Sequence, residues 1–290
     1  MFDPKSIEKD DRLIKALTGL SKNEFESLLS KFSIVLSEEI KRIPRGTTPV
    51  LKTDRDKLFY VLFYLKCYPT FDLAGAIYGV NRSQTKRWLQ YYKPVLEKTL
   101  GKELLLPLRK ISSEKEFSKL FPSIKEVYID GTERVINRPK KNQKESYSGK
   151  KKHHTKKNLI VCNKNKKVLV LTKTVSGRNH DYSIFKKGDI KIPSNVKSFL
   201  DLGFYGIGKD YPNLTTVLPI KKSKGKELSY CDKLFNRIVS RKRVKVEHTI
   251  SGIKRYKCVS DKLRNRSNKI ADDFIVLSSG LWNFHLKKSS

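Results

Sequence analysis

Apolar positions along the first hundred residues recur at helical spacing, and the period changes near residue 123. In DRLIKALTGL and SKNEFESLLSKFSIVL they fall three and four apart, which predicts amphipathic helices across residues 1–45. Ser21 followed by Glu24 has the form of a capping box. KRIPRGTTPVLKTD reads as a loop, and KLFYVLFYLKCY as a helix stopped by Pro69. The stretch FDLAGAIYGVNRSQTKRWLQYYKPVLEKTL then predicts two helices joined by a tight turn at Gly79-Val80-Asn81. Leu73 and Ala74 lie inside the first helix. Asn81 caps the second, and Thr85, Trp88 and Leu89 face inward. That leaves Arg82, Gln84, Lys86 and Arg87 outward, side chains suited to base edges and phosphates. The pattern suits a DNA-binding helix-turn-helix, and an ordinary helical hairpin as well.

Beyond residue 123 short apolar runs are bounded by turn residues. EVYIDGTERVI, KKNLIVC and KVLVLTKTV predict three strands, the last two joined at Asn163-Lys164-Asn165-Lys166. HDYSIFKK reads as a short helix, VKSFLDLGF and TTVLPIKK as strands, and residues 232–257 and 268–286 as helices. Three strands, helix, strand, helix or turn, strand and helix fit an RNase H-like α+β or α/β fold: a mixed sheet with flanking helices, its first three strands antiparallel. The expected organisation is an N-terminal helical segment (1–45), an all-α helix-turn-helix domain (46–100), a linker (101–122) and an RNase H-like catalytic domain (123–290).

Charge changes this picture most. The chain of 290 residues carries 63 Lys and Arg against 29 Asp and Glu, a formal net charge of +34. Residues 1–120 hold 23 basic and 15 acidic side chains, and residues 121–290 hold 40 and 14. A folded protein this basic calls for a polyanion, and double-stranded DNA is the expected partner. Charge therefore favours the DNA-binding reading of residues 71–100. The four cysteines (Cys67, Cys162, Cys231, Cys258) form no CxxC pair, which argues against zinc and disulfides and for a reducing compartment. The polar, acidic start MFDPKSIEKDDRL is unlike a signal peptide, and no apolar run is long enough to span a membrane. The expected location is a reducing compartment, the cytoplasm.

In so basic a half, the few acids need individual explanations. Asp130 ends the first predicted strand, Asp201 ends the fourth, and Glu247 borders the apolar stripe Val239, Val246, Ile250, Ile253 of the helix RKRVKVEHTISGIKRYK. In the predicted fold the first and fourth strands are neighbours, so two carboxylates meet and the helix supplies the third. Two negative charges about 4 Å apart repel by about 4 kcal/mol at an effective dielectric of 20, so cations must hold them. An oxygen-only site suits Mg²⁺ or Mn²⁺, and a pair of such ions suits phosphodiester chemistry. Taken singly, each acid also has a plain reading: Asp130 and Glu133 as turn acids paired with Arg134 and Arg138, Asp201 as a turn cap, and Glu247 as a salt bridge to Arg243. Asp181, in His180-Asp181 at a helix start, is a rival for the second acid. His153 and His154 lie among lysines that repel a metal, so SGKKKHHTKK reads as a phosphate-contacting strand.

The series Asp130-Gly131-Thr132-Glu133, YSGKKKHHTKK, SGRNHD, DLGFYG, PIKK and Arg243-x3-Glu247-x6-Lys254 resembles the DDE transposases of bacterial insertion sequences. The resemblance covers about residues 45–285, and within that family it is nearest the IS-five type, related to Harbinger transposases. It implies Asp130, Asp201 and Glu247 as a metal-binding triad and residues 45–100 as a reader of terminal inverted repeats. Asp181 is a motif residue of the family but not its metal ligand. Relatives carry Tyr three residues before the arginine, where this chain has Ser240. The implied activity is metal-dependent cleavage at element ends and strand transfer, by a homodimer or larger assembly. DNA contacts are expected from Arg82, Gln84, Lys86, Arg87, Lys150, Lys151, Lys152, His154, Lys156, Lys221, Lys222, Arg243 and Lys254. The alternatives are a catalytically inactive or domesticated DNA-binding protein and a nuclease that never joins strands.

Overall fold

The computed structural model describes residues 10–39, 50–223, 225, 227–265 and 267–289. The loop expected at 41–54 therefore lies mostly outside the described residues. No described helix is long and apolar enough to cross a membrane. The chain forms two compact units: residues 1–106 with 253–261 and 273–290, and residues 107–252 with 262–272.

The first unit is helical. Helix α1 (Asp11–Thr18) starts at Asp10, whose carboxylate accepts from the N–H groups of Arg12 and Leu13, and ends at Gly19 with φ +79°. In α2 (Lys22–Glu39) the Ser21–Glu24 box is formed in both directions. Helix α3 (Asp54–Cys67) is the centre of the unit. Every residue from Leu58 to Leu65 is buried, so the run has no polar face. It opens with a Thr53–Asp56 capping box and stops at Tyr68, in left-handed conformation before Pro69.

Helices α4 (Phe71–Tyr78) and α5 (Arg82–Lys102) make the helix-turn-helix. Gly79 turns the chain at φ +65°, and Asn81 Oδ1 accepts from Ser83 N–H at 2.9 Å. The turn also depends on Gly75, where a Cβ would come within 2.6 Å of the Val80 carbonyl. Thr85 donates to the Phe71 carbonyl, and Tyr60 of α3 donates to the Thr85 carbonyl, fixing both helices to the centre. Rings of Tyr60, Tyr78 and Trp88 meet edge to face.

The second unit holds the sheet. Its strands are β1 (Glu126–Val135), β2 (Tyr147–Ser148), β3 (His153–Asn163), β4 (Val168–Leu171), β5 (Val175–Ser176), β6 (Lys197–Phe199) and β7 (Thr216–Val217). Their order is β2-β3-β1-β6-β7, with β4 and β5 also on β3. β1, β3 and β4 are antiparallel, whereas β6 runs parallel to both β1 and β7. At the β3–β4 turn Asn163 Oδ1 accepts from the N–H groups of Asn165 and Lys167.

Alternation along β1 sorts its side chains. Val127 and Ile129 enter the larger core, with Leu159, Val161, Ile184 and Phe204. Tyr128 faces the other way, with Cys162, Phe199 and Val246 of the long helix Tyr230–Lys254.

Two expectations about organisation change. Residues 101–122 are not a free linker. Leu108 pairs with Val170, Ile111 pairs with Ile190, and Phe117 of the helix Glu114–Leu120 is buried in the larger core. Three anchors so spaced carry no period that a sequence reading would detect. The stretch 123–290 is likewise divided, because residues 253–261 and 273–290 cluster with the N-terminal helices. The last helix, Asn268–Ser289, places Phe274 against Tyr64 and Tyr68, and Asn283 donates to the Leu105 carbonyl. Its apolar stripe looks the same whichever core it enters.

Candidate active site

Tyr128 and Phe199 are register partners in the parallel pair β1–β6, and their rings stack 5.1 Å apart. The next same-face position on each chain is two residues on: Asp130 from one, Asp201 from the other. Asp201 lies beyond the end of β6 but remains extended (φ −91°, ψ 177°), so the pleat continues to it. Strand register thus delivers two carboxylates just past the last β1–β6 pair, and Asp130 lies inside β1 rather than ending it, because β1 runs on to Val135 against β3. Asp130 Oδ1 accepts from Gly131 N–H, and Asp201 Oδ1 accepts from Gly203 N–H, each at 2.8 Å. Each aspartate keeps its second oxygen free of these backbone bonds.

Arg243, on the long helix, brings Nη2 to 3.5 Å from Asp130 Oδ2. Burial raises the Asp130 carboxyl to about 6. The Arg243 charge opposes this, and the charges of Asp201 and then Asp181 add to it. Arg243 therefore offsets part of the negative charge that the two aspartates bring together. Two facing carboxylates with no nitrogen or sulfur donor fit a hard divalent ion.

Glu247 lies one turn beyond Arg243, and its side chain is exposed. Its neighbour Val246 packs on Tyr128 and Phe199. Among the described residues no three Asp, Glu, His or Cys side chains stand close enough to share an ion. Asp130 and Asp201 are thus brought together with Arg243, while Glu247 stays outside a formed cluster. The plain reading of Glu247 as partner to Arg243 gives way to the Arg243–Asp130 pair.

Asp181 reaches the neighbourhood from the other side of β1. A Cβ on Gly131 would lie 2.3 Å from Asp181 Oδ1, so the glycine leaves room for this carboxylate. Lys157 of β3 joins Asp181 (3.3 Å) to Glu133 (3.1 Å), with all three side chains largely buried. Glu133 is therefore a strand residue in an ion pair and not a turn acid. Arg134, also expected as a partner of these acids, is fully buried elsewhere. It donates to the Ala271 carbonyl, Asn158 Oδ1 and Thr174 Oγ1. Lys157 and Arg134 were missed because both resemble the solvated cations around them. The signal was their β period opposite one another's strand: Glu133 pairs with Lys157 and Arg134 with Lys156.

The expected DNA contacts divide similarly. Arg82, Lys86 and Arg87 are exposed on α5 and Gln84 is half-exposed. Lys150, Lys151, Lys152, Lys221 and Lys222 are exposed. His154 is half-buried, its Nδ1 2.9 Å from Ser146 Oγ. Lys156 is a correction to the picture of a solvated contact, because it is buried and its ammonium is held below the usual range by that burial and by Arg134. It lines a cavity of about 270 Å³ with Arg138, Lys140 and Lys141. Lys254 is half-buried at the end of the long helix, within the first unit.

The mixed sheet with its flanking helices, preceded by a helix-turn-helix, has the RNase H-like architecture, with Asp130 inside β1 and Asp201 just past β6. The family profile described as "DDE superfamily endonuclease" matches residues 129–283, and "Helix-turn-helix of DDE superfamily endonuclease" matches residues 51–102. The chain belongs to the DDE superfamily endonucleases. It is 31% identical over 284 residues, 97% of each chain, to a protein of Microchaete diplosiphon described as "Probable transposase for insertion sequence element IS702". No solved structure matches it.

Proposed function

We propose that this transposase-family protein cuts DNA at the inverted-repeat ends of an insertion sequence and joins those ends to target DNA. The observation that supports the reading best is the register that carries Asp130 and Asp201 to the same face just past the last β1–β6 pair. Asp130 and Asp201 would hold Mg²⁺ or Mn²⁺, with Glu247 completing the site. A bound divalent ion, or a pair, supplies charge for activating a hydroxyl and stabilising the leaving oxygen of a phosphodiester. Asp130, ionised above about pH 6, and Asp201 fix the oxygens around which the phosphate is placed. Arg243, which pairs with Asp130, would be free to take a phosphate oxygen if a divalent ion held the aspartates.

The helix-turn-helix and the transposase relative both point to DNA as the partner. In this reading Arg82, Gln84, Lys86 and Arg87 of α5 read the repeat. Lys150, Lys151, Lys152, Lys221, Lys222 and Lys254 hold backbone phosphates, and bringing two ends together calls for a dimer or larger assembly. A protein that only binds DNA is the second reading, favoured by the exposed position of Glu247.

The deciding experiment incubates the full chain and Asp201→Asn with labelled inverted-repeat duplex and Mg²⁺ or Mn²⁺. Metal-dependent nicking by the wild type and none by the variant is expected. Binding without nicking by the wild type establishes the second reading. Nicking that survives Asp201→Asn removes Asp201 from the site. Nicked but never joined products make the protein a nuclease.

A further inference from the structure

Four residues past Asp201, Tyr205 is 67% exposed, and the Lys221 ammonium lies 5.2 Å from its ring centroid. Lys221 follows Ile220, whose backbone N–H and carbonyl are both held by the Asn236 side chain of the long helix (2.7 and 3.1 Å). Next to Asn236 that helix exposes Phe235 (40%), and Ile238 is 50% exposed. Tyr205, four residues past Asp201, is thus held against Lys221, which is anchored through Ile220 to a helix that also exposes Phe235 and Ile238. The elements around it form a cationic rim, because Lys221, Lys222, Arg237 and Arg241 are all exposed.

An exposed ring held beside a cation is a ready contact for a flat π face. A second copy of so basic a unit is repelled by this rim, whereas a polyanion is attracted. Nucleic acid offers both a phosphate for the lysines and a flat π face for the ring. In an intact duplex those faces are covered by stacking, so the ligand must carry a base outside the helix. Four residues span at most about 14 Å, so a strand held at Asp201 reaches Tyr205 within a few nucleotides.

We infer that Tyr205, flanked by Lys221, is a stacking platform for an unpaired base of the DNA strand held at the Asp130–Asp201 site. This rests on the proposed DNA-cleaving role for its location, but its test does not use cleavage. Stacking on an aromatic side chain tolerates any base, so no particular repeat sequence is needed.

Binding of the full chain is measured in EDTA to a 20-base-pair duplex with blunt ends and to the same duplex with a two-nucleotide 3′ single-stranded tail. The wild type binds the tailed DNA more tightly. Tyr205→Ala loses about 5- to 100-fold on the tailed DNA and little on the blunt DNA, while Tyr205→Phe keeps the preference. Thermal melting of the variants confirms that they fold. Equal affinity of the wild type for both DNAs, or equal losses on both in Tyr205→Ala, overturns the platform. A Tyr205→Ala change in oligomeric state with unchanged tail preference overturns it too, and makes the surface a contact between copies. Asp201→Asn is run in parallel. Its tail preference in EDTA is expected to survive, so that loss of nicking in Mg²⁺ by the same variant bears on the catalytic reading alone.

Discussion

Asp130 is costly to keep ionised where it stands. Its folded pKa of about 6 lies above the ordinary carboxylate value, so the folded state binds more protons between those two values. That favourable contribution is complete at low pH and is lost as pH rises through about 6. Asp130→Asn removes the charge, so in EDTA it is expected to stabilise the protein at pH 8, on the order of 2 kcal/mol, and to make little difference near pH 4. Chemical denaturation at both pH values checks this; equal effects contradict it. At the next residue, Gly131→Ala forces a methyl onto Asp181 and is expected to cost about 1–3 kcal/mol. Adding Asp181→Ser should return part of that loss, as a double-mutant cycle would show. The aspartates themselves were legible because an acid directly behind an apolar run is unusual in a basic chain, although Asp130 lies inside β1 and not at its end. Lys157, Arg134 and the contact of Asp181 with Gly131 were not, because each depends on which residues stand opposite across the sheet.

Among the elements, β1 and β6 matter through register, and α5 through what it leaves exposed. Asn81→Ala removes the acceptor for Ser83 N–H and should cost about 1 kcal/mol of stability. Arg87→Ala leaves the fold intact because the side chain is solvated. If it reads a base, DNA affinity falls by about 1–3 kcal/mol for the repeat alone; if it holds a phosphate, affinity falls for all sequences. Titration against repeat and scrambled duplexes separates the two. The helix-turn-helix was readable because Gly79, Asn81, Thr85 and Trp88 each have a local reason for their place. The segment 101–122 was not, because Leu108 and Ile111 form single bridges to distant strands. The position of Glu247 also escaped reading: helical period placed it beside the apolar stripe, yet its side chain remains exposed.

At the scale of the whole molecule, charge and metal are the levers. With a net charge of +34, DNA affinity should fall steeply with salt, by a logarithmic slope of about −0.9 for each phosphate engaged. Binding isotherms at several salt concentrations give that number. Mn²⁺ should raise the melting temperature of the wild type by mass action and leave Asp130→Asn and Asp201→Asn unmoved. A shift in both variants equal to the wild type's would place the ion elsewhere.

The first compact unit draws on three stretches of the chain, 1–106, 253–261 and 273–290. Gly280 sits where a Cβ would meet the side chains of Leu106 and Leu100, His285 reaches Glu24, and Lys93 pairs with Asp273. During synthesis, residues 10–106 therefore leave the ribosome well before the helix that completes their core. The helical unit bearing α5 closes only once residues near 285 have been made. A translation product ending at Gly252 would carry every strand of the sheet yet lack a finished DNA-reading unit. Prematurely terminated copies are thus expected to compete poorly for the repeat sequence, while still holding DNA without sequence preference through their lysines.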